Sequence, residues 1–130
     1  MTSIFGIEGR DTQEFFEKGA VCISHTSVDR AVSHSAFYTI KNNDIVFIKH
    51  FNPQAGLRIE AVGVVRSAFI TQGATDICLP VEWVWRGNVF LQNFDEMPAL
   101  RCESLYEEHD ILVQKEIINL LPERCQLQHK

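Results

Sequence analysis

Nowhere does this chain hold the run of about 18 apolar residues that a spanning helix needs. Its start, Met1-Thr2-Ser3-Ile4-Phe5-Gly6, lacks the basic and then apolar stretches of a secretory leader. No membrane association is expected, and cytoplasmic residence is the default. Positive charge is short as well: 12 Lys and Arg stand against 17 Asp and Glu, for a net charge of −5. Loose attachment to duplex nucleic acid depends on cations that neutralise phosphates, so it is disfavoured, although a pocket that reads one base or nucleotide is not. Cysteine is sparse, and Cys22, Cys78, Cys102 and Cys125 form no Cys-x-x-Cys pair. Zinc-site spacing is therefore absent, a disulfide frame has no leader to support it, and all four read as reduced thiols that fill the core.

Chemical motifs are missing too. The glycines at 6, 9 and 19 fit no phosphate-loop spacing, which excludes nucleotide hydrolysis on such a loop. There is no Gly-x-Ser-x-Gly, no His-Glu-x-x-His and no carboxylate pair that foretells a reaction. These absences argue against an enzyme, and no cofactor or metal is expected. No repeat, low-complexity stretch or linker interrupts the chain. At 130 residues with 45% hydrophobic and 22% charged content, it reads as one packed soluble domain over 1–122 with a frayed tail at 123–130.

What is present is a hairpin. Asn43 to Asn52 is apolar at nearly every position and Leu57 to Val65 is β-branched and alternating, with Asn52-Pro53-Gln54-Ala55-Gly56 supplying turn chemistry between them. Lysine, aromatic and amide residues at the end of the first strand stand at a sheet's rim, so residues 49–58 are the first place to look for function. Lys41, Lys49, Arg58 and Arg66 also gather around this hairpin, while acids gather at Glu103, Glu107, Glu108 and Asp110.

Elsewhere, Ser3 to Ile7 reads as a short strand. Asp11 with Glu14 matches a capping box for a helix over Thr12 to Lys18 that turns Phe15 and Phe16 inward, and Gly19 stands as its left-handed cap. Ala20 to Ser24 reads as a strand, and 27–34 as a short helix. Cys78 to Trp85 alternates, which places Val81, Trp83 and Trp85 on one face. Val89 to Phe94 and Ala99 to Tyr106 are further strand candidates. A closing helix starts at Asp110 as N-cap, carries Ile111, Leu112, Ile117, Ile118 and Leu121 as its apolar stripe, and stops at Pro122.

Of five histidines, His34 and His129 read as solvent-exposed and His109 as flanking the last helix. His25 and His50 each follow a strand and stand at the sheet's rim, without the further ligands a metal would need. Trp83 and Trp85 read either as core or as the wall of a base-stacking slot, which would need Phe51, His25 or Tyr38 opposite.

Four stretches are family-like in wording and in order: Ile4-Phe5-Gly6-Ile7-Glu8-Gly9 with Phe15-Phe16-Glu17-Lys18-Gly19; Val21 to His25; Asn43 to Asn52 with Ala61-Val62-Gly63-Val64-Val65; and Leu79-Pro80-Val81-Glu82-Trp83. Together they resemble the PUA-like superfamily, and within it the EVE domains related to YTH and ASCH modules, over residues 4–106. The resemblance implies an α+β fold, a PUA-like curved mixed β-sheet or small β-barrel flanked by short helices, with a C-terminal helix. It implies a pocket for a base flipped from a strand, whose extraction stacking must offset. It assigns ligand contact to His25, Thr26, Lys49, Phe51, Asn52 and Trp83, and it asks Asn43 to take the turn conformation usual for glycine.

The first expectation is thus a non-enzymatic recognition domain for a nucleotide or modified nucleobase in DNA or RNA, acting with a separate effector protein. A second is a small-molecule hydrolase or transferase with His25 or His50 as base and Lys49 as electrostatic stabiliser. A third is a protein-interaction module that forms a homodimer through strand edges or the last helix.

Overall fold

The hairpin foreseen at residues 43–65 is the centre of a sheet. In the computed structural model, which describes residues 2–9, 12–24, 37–52, 56–67, 71–72, 76–91 and 105–122, β3 (Ile45–Asn52) and β4 (Gly56–Val65) pair antiparallel from Ile45↔Val64 to Asn52↔Gly56. Asn43 enters β3 with φ 73°, the left-handed conformation expected of it, and its N–H donates to the Val65 carbonyl at 2.7 Å. The buried carboxylate of Asp44 accepts from the N–H groups of Ser3 (3.0 Å) and Lys41 (2.8 Å), which ties the entry of β3 to the start of β1.

β1 (Ile4–Glu8) runs parallel to β3, and β7 (Leu105–Glu107) closes that side antiparallel to β1. On the other side lies β6 (Asp76–Leu91), 16 residues long. Its first part pairs with β2 (Ala20–Ser24) and with the two-residue β5 (Thr71–Gln72), and its later part pairs with β4. The strand order is β2-β6-β4-β3-β1-β7, with β5 beside β6. The result is a curled, mixed sheet of an α+β fold with short helices. The predicted strand at 89–94 is not a separate element as far as Leu91, because it is the end of β6.

The first helix, α1 (Thr12–Lys18), has the predicted bounds, and Gly19 ends it at φ 60°. That left-handed φ favours a residue without Cβ. Glu14 and Lys18 pair one turn apart at 2.5 Å. Asp11 and the helix foreseen at 27–34 lie outside the described residues. The closing helix, α2 (Ile111–Leu120), is capped by Asp110, whose Oδ1 accepts from the N–H groups of Leu112 (2.8 Å) and Val113 (3.2 Å). Its buried stripe needs correction. Val113, Ile117 and Leu121 face the core at i, i+4 and i+8, while Ile111 and Leu112 are 66% and 65% exposed because they sit in the first turn, on the opposite side.

Alternation along the strands splits the core in two. Val46, Ile48, Ala61, Val65, Leu79 and Val81 pack with Phe15 of α1 on one face. Ile45, Phe47, Leu57, Ile59, Val62 and Val64 pack with Val113, Ile117 and Leu121 of α2 on the other. Two expectations fail against this division. Trp83 and Trp85 do not share a face: the register passes from Gly63↔Trp83 to Val62↔Trp85 and skips Val84, and this bulge puts Trp83 with the α1 cluster and Trp85 with the α2 cluster. Nor are all four cysteines thiols. Cys22 and Cys78 face one another across β2 and β6 and are joined as a disulfide. Their partnership arises from strand register across 56 residues, which spacing motifs do not encode.

Among the described residues, no helix is long and apolar enough to cross a membrane.

Candidate functional groove

On the α1 face the apolar surface ends at Ile48 and Ala61. Beyond that line the same face of the same strands turns polar, with His50 on β3, Arg58 and Glu60 on β4, and Arg86 and Asn88 on β6. Local backbone causes the change. Ile48 pairs with Ala61 and Lys49 with Ile59, so Glu60 is an extra residue on β4; on the β6 side, Ala61 pairs with Arg86 and Ile59 with Val89, which leaves Gly87 and Asn88 unmatched against Glu60. A bulge of this kind bends the strand and re-aims a side chain. Here it opens an open-sided groove of about 520 Å³ lined by Phe16, Arg58, Glu60, Arg86, Gly87 and Asn88.

Each polar group in the groove has a fixed posture. Glu60 Oε1 lies 2.5 Å from His50 Nε2 and 3.9 Å from Arg58 Nη1. A carboxylate oxygen of an ionised glutamate only accepts, so Nε2 carries the proton. The imidazole is held from behind: Gly9 donates its N–H to the Lys49 carbonyl at 3.1 Å, and a Cβ on Gly9 would fall 2.5 Å from the His50 ring. Only glycine lets β1's end and the ring approach so closely. Arg58 Nη1 also donates to Asn88 Oδ1 at 2.6 Å. Because arginine offers donors only, this fixes the amide orientation and leaves the Asn88 NH₂ as a donor.

The groove's wall is aromatic. The Arg86 guanidinium lies over the Phe16 ring at 3.7 Å, and Trp83 meets Phe16 edge-on with centroids 5.4 Å apart. Trp83 is itself anchored, since its Nε1–H donates to the Phe15 carbonyl at 3.0 Å. Among the described residues no carboxylate pairs with Arg86, which is exposed. Phe90, 64% exposed, stands opposite Arg58 in the β4–β6 register at the outer lip.

Of the residues foreseen as ligand contacts, the three whose side chains are described, Lys49, Phe51 and Trp83, do not share one face of the sheet. Lys49 is buried on the α2 face, with its ammonium 5.7 Å from the Tyr106 ring centroid, and Tyr106 donates its hydroxyl to the buried Glu108 at 2.9 Å. Phe51 packs in the α2 cluster, whereas Trp83 packs in the α1 cluster. Since Lys49 and His50 are adjacent on one strand, their side chains point to opposite faces, so His50 does not pair with this lysine as a base. Trp83 reaches the groove only through Phe16. His25, Thr26 and the side chain of Asn52 lie outside the described residues, as do His34 and His129.

Phe16, Glu60, Arg86 and Asn88 were not singled out as ligand groups from sequence. The alternation Leu57-Arg58-Ile59-Glu60 was a usable sign of a polar face opposite an apolar one, but the bulge that gathers these groups was not. Among the described residues, no three His, Cys, Asp or Glu side chains cluster as a metal site. Compared with known proteins, the chain matches no family model and no curated protein is significantly similar to it.

Proposed function

We propose that the protein is a non-enzymatic recognition domain that binds a nucleotide, presented singly or in a single strand of DNA or RNA, in the groove at the polar end of the α1 face. The observation that carries the proposal is the Arg86 guanidinium stacked on Phe16 beside Arg58 and a carboxylate held by histidine. A nucleotide is a planar ring joined to an anion. The stacked guanidinium offers the ring a flat partner, Arg58 offers the phosphate a charge, and Glu60 with Asn88 offers the base edge an acceptor and a donor. Two guanidiniums against one carboxylate make the groove locally positive although the chain carries −5 overall. Such a balance suits one or two phosphates rather than a long duplex footprint.

The curled mixed sheet, the left-handed Asn43 and the order of the family-like segments support the PUA-like reading that goes with this function. Reading of a modified base remains part of the proposal, with the modification held against the Phe16 and Phe90 side of the groove.

Fluorescence anisotropy with short labelled single-stranded oligonucleotides, with and without methylated bases, tests the proposal. At low salt the wild type binds, and Arg58→Ala and Arg86→Ala each weaken binding by roughly ten-fold, in line with about 1–3 kcal/mol per stacked base. Lys115→Ala, exposed on α2, leaves binding unchanged. Absence of binding by folded wild type, or equal loss in all three variants, would contradict it.

A further inference from the structure

We infer that Glu60 and Asn88 make the groove selective for guanine. This inference rests on the nucleotide reading above and adds to it the identity of the base.

Two groups lining the groove have their hydrogen-bonding sense fixed by their neighbours. Glu60 can only accept, and with one lone pair of Oε1 committed to His50 Nε2 at 2.5 Å it keeps Oε2 and the second lone pair of Oε1 for a ligand. Asn88 can only turn its NH₂ outward, because its Oδ1 accepts from Arg58 at 2.6 Å. The groove therefore presents an acceptor and a donor side by side, from residues the bulge brings together across β4 and β6.

Guanine presents the complement along one edge: O6 accepts, while N1–H and the N2 amino group donate. Its two donors meet the Glu60 carboxylate and O6 meets the Asn88 amide. Adenine on the same edge presents a donor to Asn88 and a lone pair to Glu60, a mismatch at both positions. Cytosine offers an amino donor where guanine has O6 and a lone pair at N3 where guanine has N1–H, so it fails at the same two places. Hypoxanthine keeps O6 and N1–H but lacks the N2 amino group, and it falls between guanine and adenine.

His50 acts here as a positioning residue. Its ring, close against Gly9, holds Oε1 so that the carboxylate stays 3.9 Å from the Arg58 guanidinium instead of drawing closer to it.

Isothermal titration of the wild-type chain with GMP, IMP, AMP and CMP tests this, because the four share sugar and phosphate. GMP binds at least roughly ten-fold more tightly than AMP or CMP, as one well-matched two-bond edge allows, with IMP between them. In Glu60→Gln, which keeps size and removes charge, the preference for GMP over AMP collapses while AMP affinity changes by less than about two-fold. Circular dichroism establishes that this variant folds. Equal affinity of the wild type for GMP and AMP, or a GMP preference that survives in Glu60→Gln, overturns the guanine assignment and leaves nucleotide binding standing. No heat of binding with any of the four overturns both.

Discussion

At the far end of β3, β4 and β6 the two faces of one sheet are built from interleaved residues and do different things. On the α2 face, Phe51, Leu57, Ile59, Trp85, Val89 and Leu91 continue the core without a break. On the α1 face, between those same residues, stand His50, Arg58, Glu60, Arg86 and Asn88, with Phe90 exposed at the edge. Period-two alternation lets three strands be held rigid from one side and remain chemically furnished on the other. A ligand site needs such support, since its groups keep their geometry only if the backbone beneath them does.

The comparison breaks most visibly under truncation of adjacent residues. Ile59, fully buried, and Arg58, its half-exposed neighbour, differ by one position. Ile59→Ala is expected to lower unfolding free energy by about 2–5 kcal/mol in urea titration, whereas Arg58→Ala costs under about 1 kcal/mol. Equal losses would mean that the polar face is part of the fold's support.

The disulfide sharpens the same division from the other end of β6. Replacing Cys22 and Cys78 together by Ala removes a link across 56 residues and lowers stability by roughly 2–4 kcal/mol. Nucleotide affinity at temperatures where the variant is folded stays unchanged, because the groove lies at the opposite end of β6. Thiol titration of the native, unreduced protein is expected to leave these two cysteines unreactive.

Gly9→Ala acts between the faces. Its Cβ must displace the His50 ring, at an overpacking cost of about 1–3 kcal/mol, and the ring's NMR signals shift with the loss of the contact to Glu60. The smallest effect is expected at the cap of α2. Asp110→Ala removes the acceptor for two helix N–H groups and costs about 1 kcal/mol in thermal unfolding, with no change at the groove.

Local signals in the sequence carried much of the fold. Gly19 after Lys18, Asp110 before Ile111 and Pro122 after Leu121 are side-chain chemistry acting within a few residues, and helix bounds followed from them. The β3–β4 hairpin was legible for the same reason. Errors arose where a single residue changed register. The bulge at Val84 separated two tryptophans that simple alternation had joined, and the bulge at Glu60 gathered a groove from residues on two strands beside α1. Register also decided the fate of Cys22 and Cys78, because only pairing of β2 with β6 makes them neighbours. For Lys49, nearness to a strand end suggested the rim, but alternation turns the side chain inward onto Tyr106.

The most direct measurement is a ¹H–¹⁵N NMR titration of the wild-type protein with GMP, followed residue by residue. Shifts are expected to concentrate at Gly9, Phe16, Arg58, Glu60, Arg86 and Asn88, with the signals of Phe51, Leu57, Ile59 and α2 nearly still. Shifts centred instead on Lys49, Tyr106 and Glu108, or none at saturating nucleotide, would contradict the claim that the polar end of the α1 face is the binding site.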